Sequence, residues 1–133
     1  MHAYGTFTQY AGLGVLFNLP VRGDVPGTWD ASAYTGIKFW AKGSPSYLKV
    51  LGQMPATQSV ANGGTCTTSS CAANYYLLTT LSSSWQQFTI PFAYLTSGTA
   101  TPFKPASLWS IEFGPYATVT SFDFWIDDLM LYK

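Results

Sequence analysis

Hydrophobic and polar positions alternate along most of this chain with a period of two. The clearest run is Ser121-Phe122-Asp123-Phe124-Trp125-Ile126-Asp127-Asp128-Leu129-Met130-Leu131-Tyr132. Phe122, Phe124 and Ile126 share one face, and Asp123, Trp125 and Asp127 share the other. That spacing predicts a strand with one face in a core. Residues 36–43 repeat it, with Ile37, Phe39 and Ala41 inward and Lys38, Trp40 and Lys42 outward. Residues 47–54 put Leu48 and Val50 inward, and residues 85–92 put Phe88 and Ile90 inward. Residues 108–114 place Trp109, Ile111 and Phe113 on one face. Further strands are predicted over 4–10, with Phe7 inside, over 12–19 and over 75–81. Residues 20–32, 55–74 and 94–105 are rich in Gly, Pro, Ser and Thr and read as loops. No segment keeps helical periodicity beyond one turn.

Short strands at regular spacing, punctuated by turn residues, indicate an all-β fold. Eight of them suit a two-sheet antiparallel β-sandwich of jelly-roll type, one domain over residues 1–133. In that topology the first, third, sixth and eighth strands form one sheet. The second, fourth, fifth and seventh form the other. Each sheet buries one face, so the other face is solvent, interface or ligand site. The outer face of the second sheet is expected to carry Leu16, Asn18, Tyr47, Lys49, Leu51, Gln53 and Glu112, with Tyr75 or Tyr76 from the fifth strand. Rings stack on the C–H faces of sugars, and planar polar groups satisfy hydroxyls. The same residues also suit an ordinary solvated sheet face. On the first sheet Lys38, Trp40, Asp123 and Trp125 are expected to be outward neighbours, with a Lys–Asp ion pair among them.

Composition narrows the classes. Charged residues are 9% of the chain and aromatic residues 17%, against a usual charged share of about 25%. Six basic and six acidic residues cancel. No basic patch is available for nucleic acid, and no polybasic run for a membrane surface. No apolar run approaches the roughly 18 residues of a membrane span. Met1-His2 leads directly into strand-like sequence without a signal peptide, as in a mature secreted domain given a start Met. Cys66 and Cys71 flank Thr-Thr-Ser-Ser in a small-residue loop. Zinc needs about four ligands, and the chain has one His, at position 2. A loop disulfide suits an exported protein, and two free thiols a cytosolic one.

Two adjacent acids, Asp127 and Asp128, interrupt the last strand where it should continue apolar. A solvated strand end explains them. So does a hard cation such as calcium, which takes several oxygen ligands. Catalytic signals are weak. His2 is terminal and supports no Ser-His-Asp triad. Glycoside hydrolysis needs two carboxylates about 5 to 10 Å apart across a cleft. Asp127 and Asp128 are expected on opposite faces of a strand, and Glu112 meets Asp24 or Asp30 only if a loop folds over. Gly12-Leu13-Gly14 lacks a following helix and is a turn signal. The chain therefore reads as non-enzymatic. A small hydrolase would lose turnover in Glu112→Gln.

Asp30-Ala-Ser-Ala-Tyr-Thr-Gly-Ile-Lys-Phe-Trp-Ala-Lys42 resembles the central strand of secreted bacterial carbohydrate-binding modules with a galactose-binding-like jelly roll. Trp85-Gln-Gln-Phe-Thr-Ile-Pro-Phe92, Leu108-Trp-Ser-Ile-Glu-Phe113 and Phe122-Asp-Phe-Trp-Ile-Asp-Asp-Leu129 are similar to their later strands. The loop from Gly64 to Cys71 also looks like theirs. The likeness covers about residues 5–132. It implies a structural calcium in many members, with the first acid of the terminal pair, Asp127, as a ligand. Relatives also draw ligands from an acidic N-terminal strand, whereas no acid precedes Asp24 here. Either the calcium site is incomplete or a first strand is missing.

The expected function is non-catalytic binding of a polysaccharide of the β-glucan type, in a secreted protein joined to a polysaccharide-degrading domain. Tyr47 and a facing tyrosine, Tyr76, would stack on sugar rings. Lys49, Gln53 and Glu112 would bond hydroxyls. The rival is a self-assembling extracellular structural subunit. Its outer aromatics Trp40, Trp125 and Tyr116 would then be interface.

Overall fold

The computed structural model describes residues 1–7, 11–17, 27–44, 47–68, 71, 75–96, 103–116 and 121–133. Large apolar residues at alternate positions become strands that share one core. They are β1 (His2–Thr6), β2 (Leu13–Leu16), β3 (Gly36–Ser44), β4 (Tyr47–Gln53), β5 (Tyr75–Thr80), β6 (Gln86–Pro91), β7 (Ser110–Pro115) and β8 (Ser121–Tyr132). Short 3₁₀ turns lie at Pro55–Thr57, Val60–Asn62, Phe92–Tyr94 and Pro105–Ser107.

One sheet has the order β1-β8-β3-β6 and the other β2-β7-β4-β5. Every neighbouring pair is antiparallel. The fold is thus the two-sheet sandwich expected from the alternation, with the expected strands in each sheet. Thr8 to Tyr10, Asn18 and Asp24 lie outside the described residues. Inward residues of both sheets fill a common core that includes Ile37, Phe39, Leu48, Val50, Ile111, Phe113, Phe124 and Ile126. Phe39 joins the sheets: its ring meets Phe88 of its own sheet at 5.4 Å and Phe113 of the opposite sheet edge-on at 4.9 Å. Trp109 is buried but lies outside this cluster.

The Asp127–Asp128 step has a structural cause. Across β3 and β8, Lys38 pairs with Met130 but Trp40 pairs with Asp127. Phe39 therefore faces two residues, Asp128 and Leu129, which makes a β-bulge. Asp128 takes φ 48°, a left-handed conformation that Asp tolerates better than bulkier residues. Its backbone N–H donates to Asp127 Oδ1 at 2.9 Å. The bulge changes the phase of the strand. Phe122, Phe124 and Ile126 point inward before it, and Leu129 and Leu131 pack on the core after it. Simple alternation put the two acids on opposite faces. Instead both are exposed, because the extra residue absorbs one step of the pleat.

Asp128→Val is expected to destabilise by about 1 to 3 kcal/mol, since a β-branched residue is strained at positive φ. Asp128→Gly is expected to stay within about 0.5 kcal/mol of the parent. Urea unfolding of both variants checks the difference, and equal losses would discount the backbone strain.

Cys66 and Cys71 form a disulfide. The loop it closes leans on the chain before it: Cys66 N–H donates to Gln58 O and Thr65 N–H to Pro55 O, each at 2.9 Å.

Candidate functional site

The outer face of the second sheet is laid out by strand register. Tyr47, Lys49, Leu51 and Gln53 alternate outward along β4 while Leu48, Val50 and Gly52 are buried. Leu51 pairs with Glu112 on one side and Tyr76 on the other. Gln53 pairs with Ser110, and Gly14 with Glu112. Tyr47, Lys49, Gln53, Tyr76 and Glu112 thus share one surface, as the alternation predicted. Six steps of strand separate Tyr47 from Gln53, a span of about 20 Å.

Each polar group has a definite setting. Lys49 Nζ lies 4.5 Å from the Tyr76 ring centroid, a cation–π contact. One face of Tyr76 is therefore taken by an ammonium. Tyr47 is 55% exposed and offers the freer ring. The Glu112 stem crosses the place where Gly14 would carry a side chain: a Cβ there would stand 2.6 Å from Glu112 Cγ. A glycine at position 14 lets that carboxylate lie down on β2. Burial pushes the Glu112 pKa up, and a hydrogen bond from Ser110 opposes this only in part. Burial likewise lowers the Lys49 pKa. Among the described residues, neither group belongs to an ion pair. Two partly desolvated, unpaired charges on one sheet face are unfavourable for folding alone.

Ser110 was not anticipated. It is 1% exposed although it points to the outer side. Its Oγ lies 3.0 Å from Gln53 Oε1 and 3.3 Å from Glu112 Oε1. Its place two residues before Glu112 on one strand was the available signal.

The first sheet differs from expectation in its pairing. Asp123 meets no lysine; His2 Nε2 stands 2.7 Å from its Oδ1. Lys42, rather than Lys38, accompanies Trp125, with Nζ 4.9 Å from that ring and 5.0 Å from Trp85. Lys38 lies over Tyr132. The His2 ring stacks on Trp125 at 4.2 Å and on Tyr4 at 5.1 Å. Tyr4, His2, Trp125, Lys42 and Trp85 thereby form a ladder across β1, β8, β3 and the start of β6. Tyr4 and Trp85, at its two ends, are exposed. Trp40 stands beside it, paired with Asp127 and Gln87.

Asp127 gathers no further acids among the described residues. Among the described residues, no three His, Cys, Asp or Glu side chains group as metal ligands. Its Oδ1 already accepts the Asp128 amide. The bulge gives the acidic pair a place in the strand. Thermal unfolding in EDTA and in excess calcium tests for an ion, and one shared midpoint would leave the acids to the bulge. A midpoint raised by calcium and restored to the EDTA value in Asp127→Asn would give Asp127 the ligand role instead. Asp30 is also locally engaged: its Oδ1 accepts from the Ser32 N–H at 2.8 Å and from the Ser32 hydroxyl at 2.5 Å. These bonds hold its pKa below the usual value.

The sandwich thus presents rings, an amide, an ammonium and a carboxylate on one sheet face. The sequence profile described as carbohydrate binding domain 30 matches residues 18–133, and the chain belongs to that family. It is a carbohydrate-binding domain. Its fold is similar to the family 11 carbohydrate-binding module of the cellulosomal cellulase Lic26A-Cel5E of Clostridium thermocellum. That likeness has a TM-score of 0.60 and 16% identity, covering 98% of this chain and 86% of that one. A second structure of a Clostridium thermocellum family 11 module holds a β-1,3-1,4-mixed-linked tetrasaccharide. It shares 15% identity, with a TM-score of 0.60, covering 98% of this chain and 88% of that one. No match is found among curated proteins.

Proposed function

We propose that this domain is non-catalytic and binds a β-glucan-like polysaccharide along the outer face of its second sheet. Tyr47 would stack on a sugar ring, and Tyr76 would contribute the face left open by Lys49. Lys49, Gln53 and Glu112 would exchange hydrogen bonds with hydroxyls. The observation that carries this reading is the pairing of Lys49 and Glu112 on one face, both partly desolvated and neither in an ion pair among the described residues. A neutral, hydroxyl-rich ligand satisfies both without imposing a net charge. The mixed-linked tetrasaccharide in the similar Clostridium thermocellum module supports the choice of glucan.

The parent protein would be secreted, with a polysaccharide-degrading domain joined to this one. The Cys66–Cys71 disulfide supports an oxidising compartment. Affinity electrophoresis tests the function. Migration is expected to slow in gels containing mixed-linked β-glucan. It is expected to be unchanged in gels containing an acidic polysaccharide such as polygalacturonate. Unretarded migration in every neutral glucan would reject the reading.

A further inference from the structure

We propose that Ser110, itself closed off from any ligand, is a positioning residue that sets the hydrogen-bonding sense in which Gln53 and Glu112 meet a sugar hydroxyl. The proposal rests on the polysaccharide-binding reading of this face. Ser110 sits between Leu16 of β2 and Gln53 of β4 in the register of the sheet. It is 1% exposed, so it cannot reach the ligand. Its hydroxyl nevertheless lies within hydrogen-bonding distance of two groups that can, at 3.0 Å from Gln53 and 3.3 Å from Glu112.

A hydroxyl has one proton and two acceptor lone pairs. It can donate to Gln53 or to Glu112, not fully to both. When Glu112 is ionised it has no proton to give, so Ser110 donates to it. The Ser110 oxygen then accepts from the Gln53 amide Nε2, and Gln53 Oε1 turns outward as an acceptor. When Glu112 carries a proton, it donates to Ser110. Ser110 then donates to Gln53 Oε1, and Gln53 Nε2 turns outward as a donor. The Ser110 hydroxyl stands within reach of both oxygens, 3.0 Å from Gln53 Oε1 and 3.3 Å from Glu112 Oε1, so it can serve either arrangement. One buried proton therefore links the polarity of Gln53 to the state of Glu112.

The surroundings shift this exchange to higher pH than for an ordinary carboxylate. Burial raises the Glu112 pKa. Among the described residues, the titratable groups on the same face are Lys49 and Tyr47 of β4 and Tyr76 of β5. The neighbouring strand β2 contributes Gly14 and Leu16 beside Glu112 and Ser110, with no charge. No carboxylate or ammonium forms an ion pair with Glu112 among the described residues.

The test has a ligand-free arm and a binding arm. In the first, the side-chain ¹⁵N–H₂ signals of Gln53 and the side-chain carboxyl ¹³C signal of Glu112 are followed across pH. In the parent, the Gln53 signals are expected to move with the Glu112 midpoint. In Ser110→Ala they are expected to stay still, while the Glu112 midpoint rises because the carboxylate has lost its donor. Glu112→Gln, which keeps the shape, is also expected to hold the Gln53 signals still, and it serves if Ser110→Ala folds poorly. In the second arm, parent affinity for mixed-linked β-glucan is expected to change roughly three- to tenfold across the Glu112 midpoint. That dependence is expected to shrink in Ser110→Ala to the part Glu112 contributes by its own contact with the sugar. Gln53 signals that move with Glu112 in the parent and in Ser110→Ala alike would overturn the proposal. So would a parental pH dependence that is undiminished in Ser110→Ala. A parent domain that binds no glucan at any pH would defeat the reading of the face as well. Normal binding with Gln53 uncoupled from Glu112 would defeat the Ser110 proposal alone.

Discussion

Phe39→Ala is expected to remove a large share of the stability of the domain and to move its urea midpoint well down. Phe39 is fully buried and touches aromatic rings in both sheets, Phe88 and Phe113. Truncating such a ring removes its transfer energy and leaves a cavity that two stiff sheets cannot close, a loss of about 3 to 5 kcal/mol. Domains of this size hold about 5 to 15 kcal/mol in total. The position is doubly exposed to damage because Phe39 stands opposite the Asp128 bulge, where the ladder is already interrupted. Phe39→Leu keeps most of the volume and is expected to lose about 1 to 2 kcal/mol. Urea unfolding followed by tryptophan fluorescence measures both. A loss under about 1 kcal/mol for Phe39→Ala would show that the sheets are joined elsewhere.

The second large effect pairs a loss with a gain. Lys49→Ala together with Glu112→Ala is expected to abolish detectable retardation in mixed-linked β-glucan gels. Hydrogen bonds to charged groups contribute about 1.5 to 3 kcal/mol each, so two of them amount to a weakening of about a hundredfold or more. Stability should move the other way. Glu112 has a folded pKa above its unfolded value. Folding therefore favours its protonated form, and the penalty of the charged form is complete above the folded pKa. As pH falls toward the unfolded value the penalty disappears. Glu112→Gln is thus expected to raise the unfolding midpoint at pH 7 and leave it unchanged at about pH 3.5. Lys49 has the opposite protonation chemistry and the same consequence. Its folded pKa is lowered, so its penalty is complete below that value and lifts as pH rises past the unfolded one. Binding lost while stability is gained would mark these charges as kept for ligand. A variant that loses binding and stability together would point to a structural role.

Much of this was legible in the sequence, for a definite reason. Residues such as Phe39, Ile111, Phe113, Phe124 and Ile126 are large, apolar and spaced by two, so each strand announces its buried face. Once the faces are known, jelly-roll membership brings Tyr47, Lys49, Gln53, Tyr76 and Glu112 to one surface. What stayed hidden depends on how strands register against each other. The Asp128 bulge exists only relative to β3. The choice of Lys42 over Lys38 beside Trp125 follows from the pairing of Lys42 with Trp125. His2 looked like an idle terminal residue, yet it faces Trp125 across the ladder. Ser110 reads as a surface serine because its burial comes from neighbours on other strands.

The bulge also sets how the chain can change length. In a regular strand, removing one residue turns every later side chain to the other face. In β8, Asp127 and Asp128 occupy what would otherwise be one step of the pleat. Removing Asp128 leaves Leu129 and Leu131 in phase with Phe122, Phe124 and Ile126. The core would keep its full apolar set, and the ladder opposite Phe39 would become continuous. This is a point in the strand where the sequence can lose a residue without turning the sheet inside out, so length variation among related chains should collect here rather than at Phe124 or Ile126.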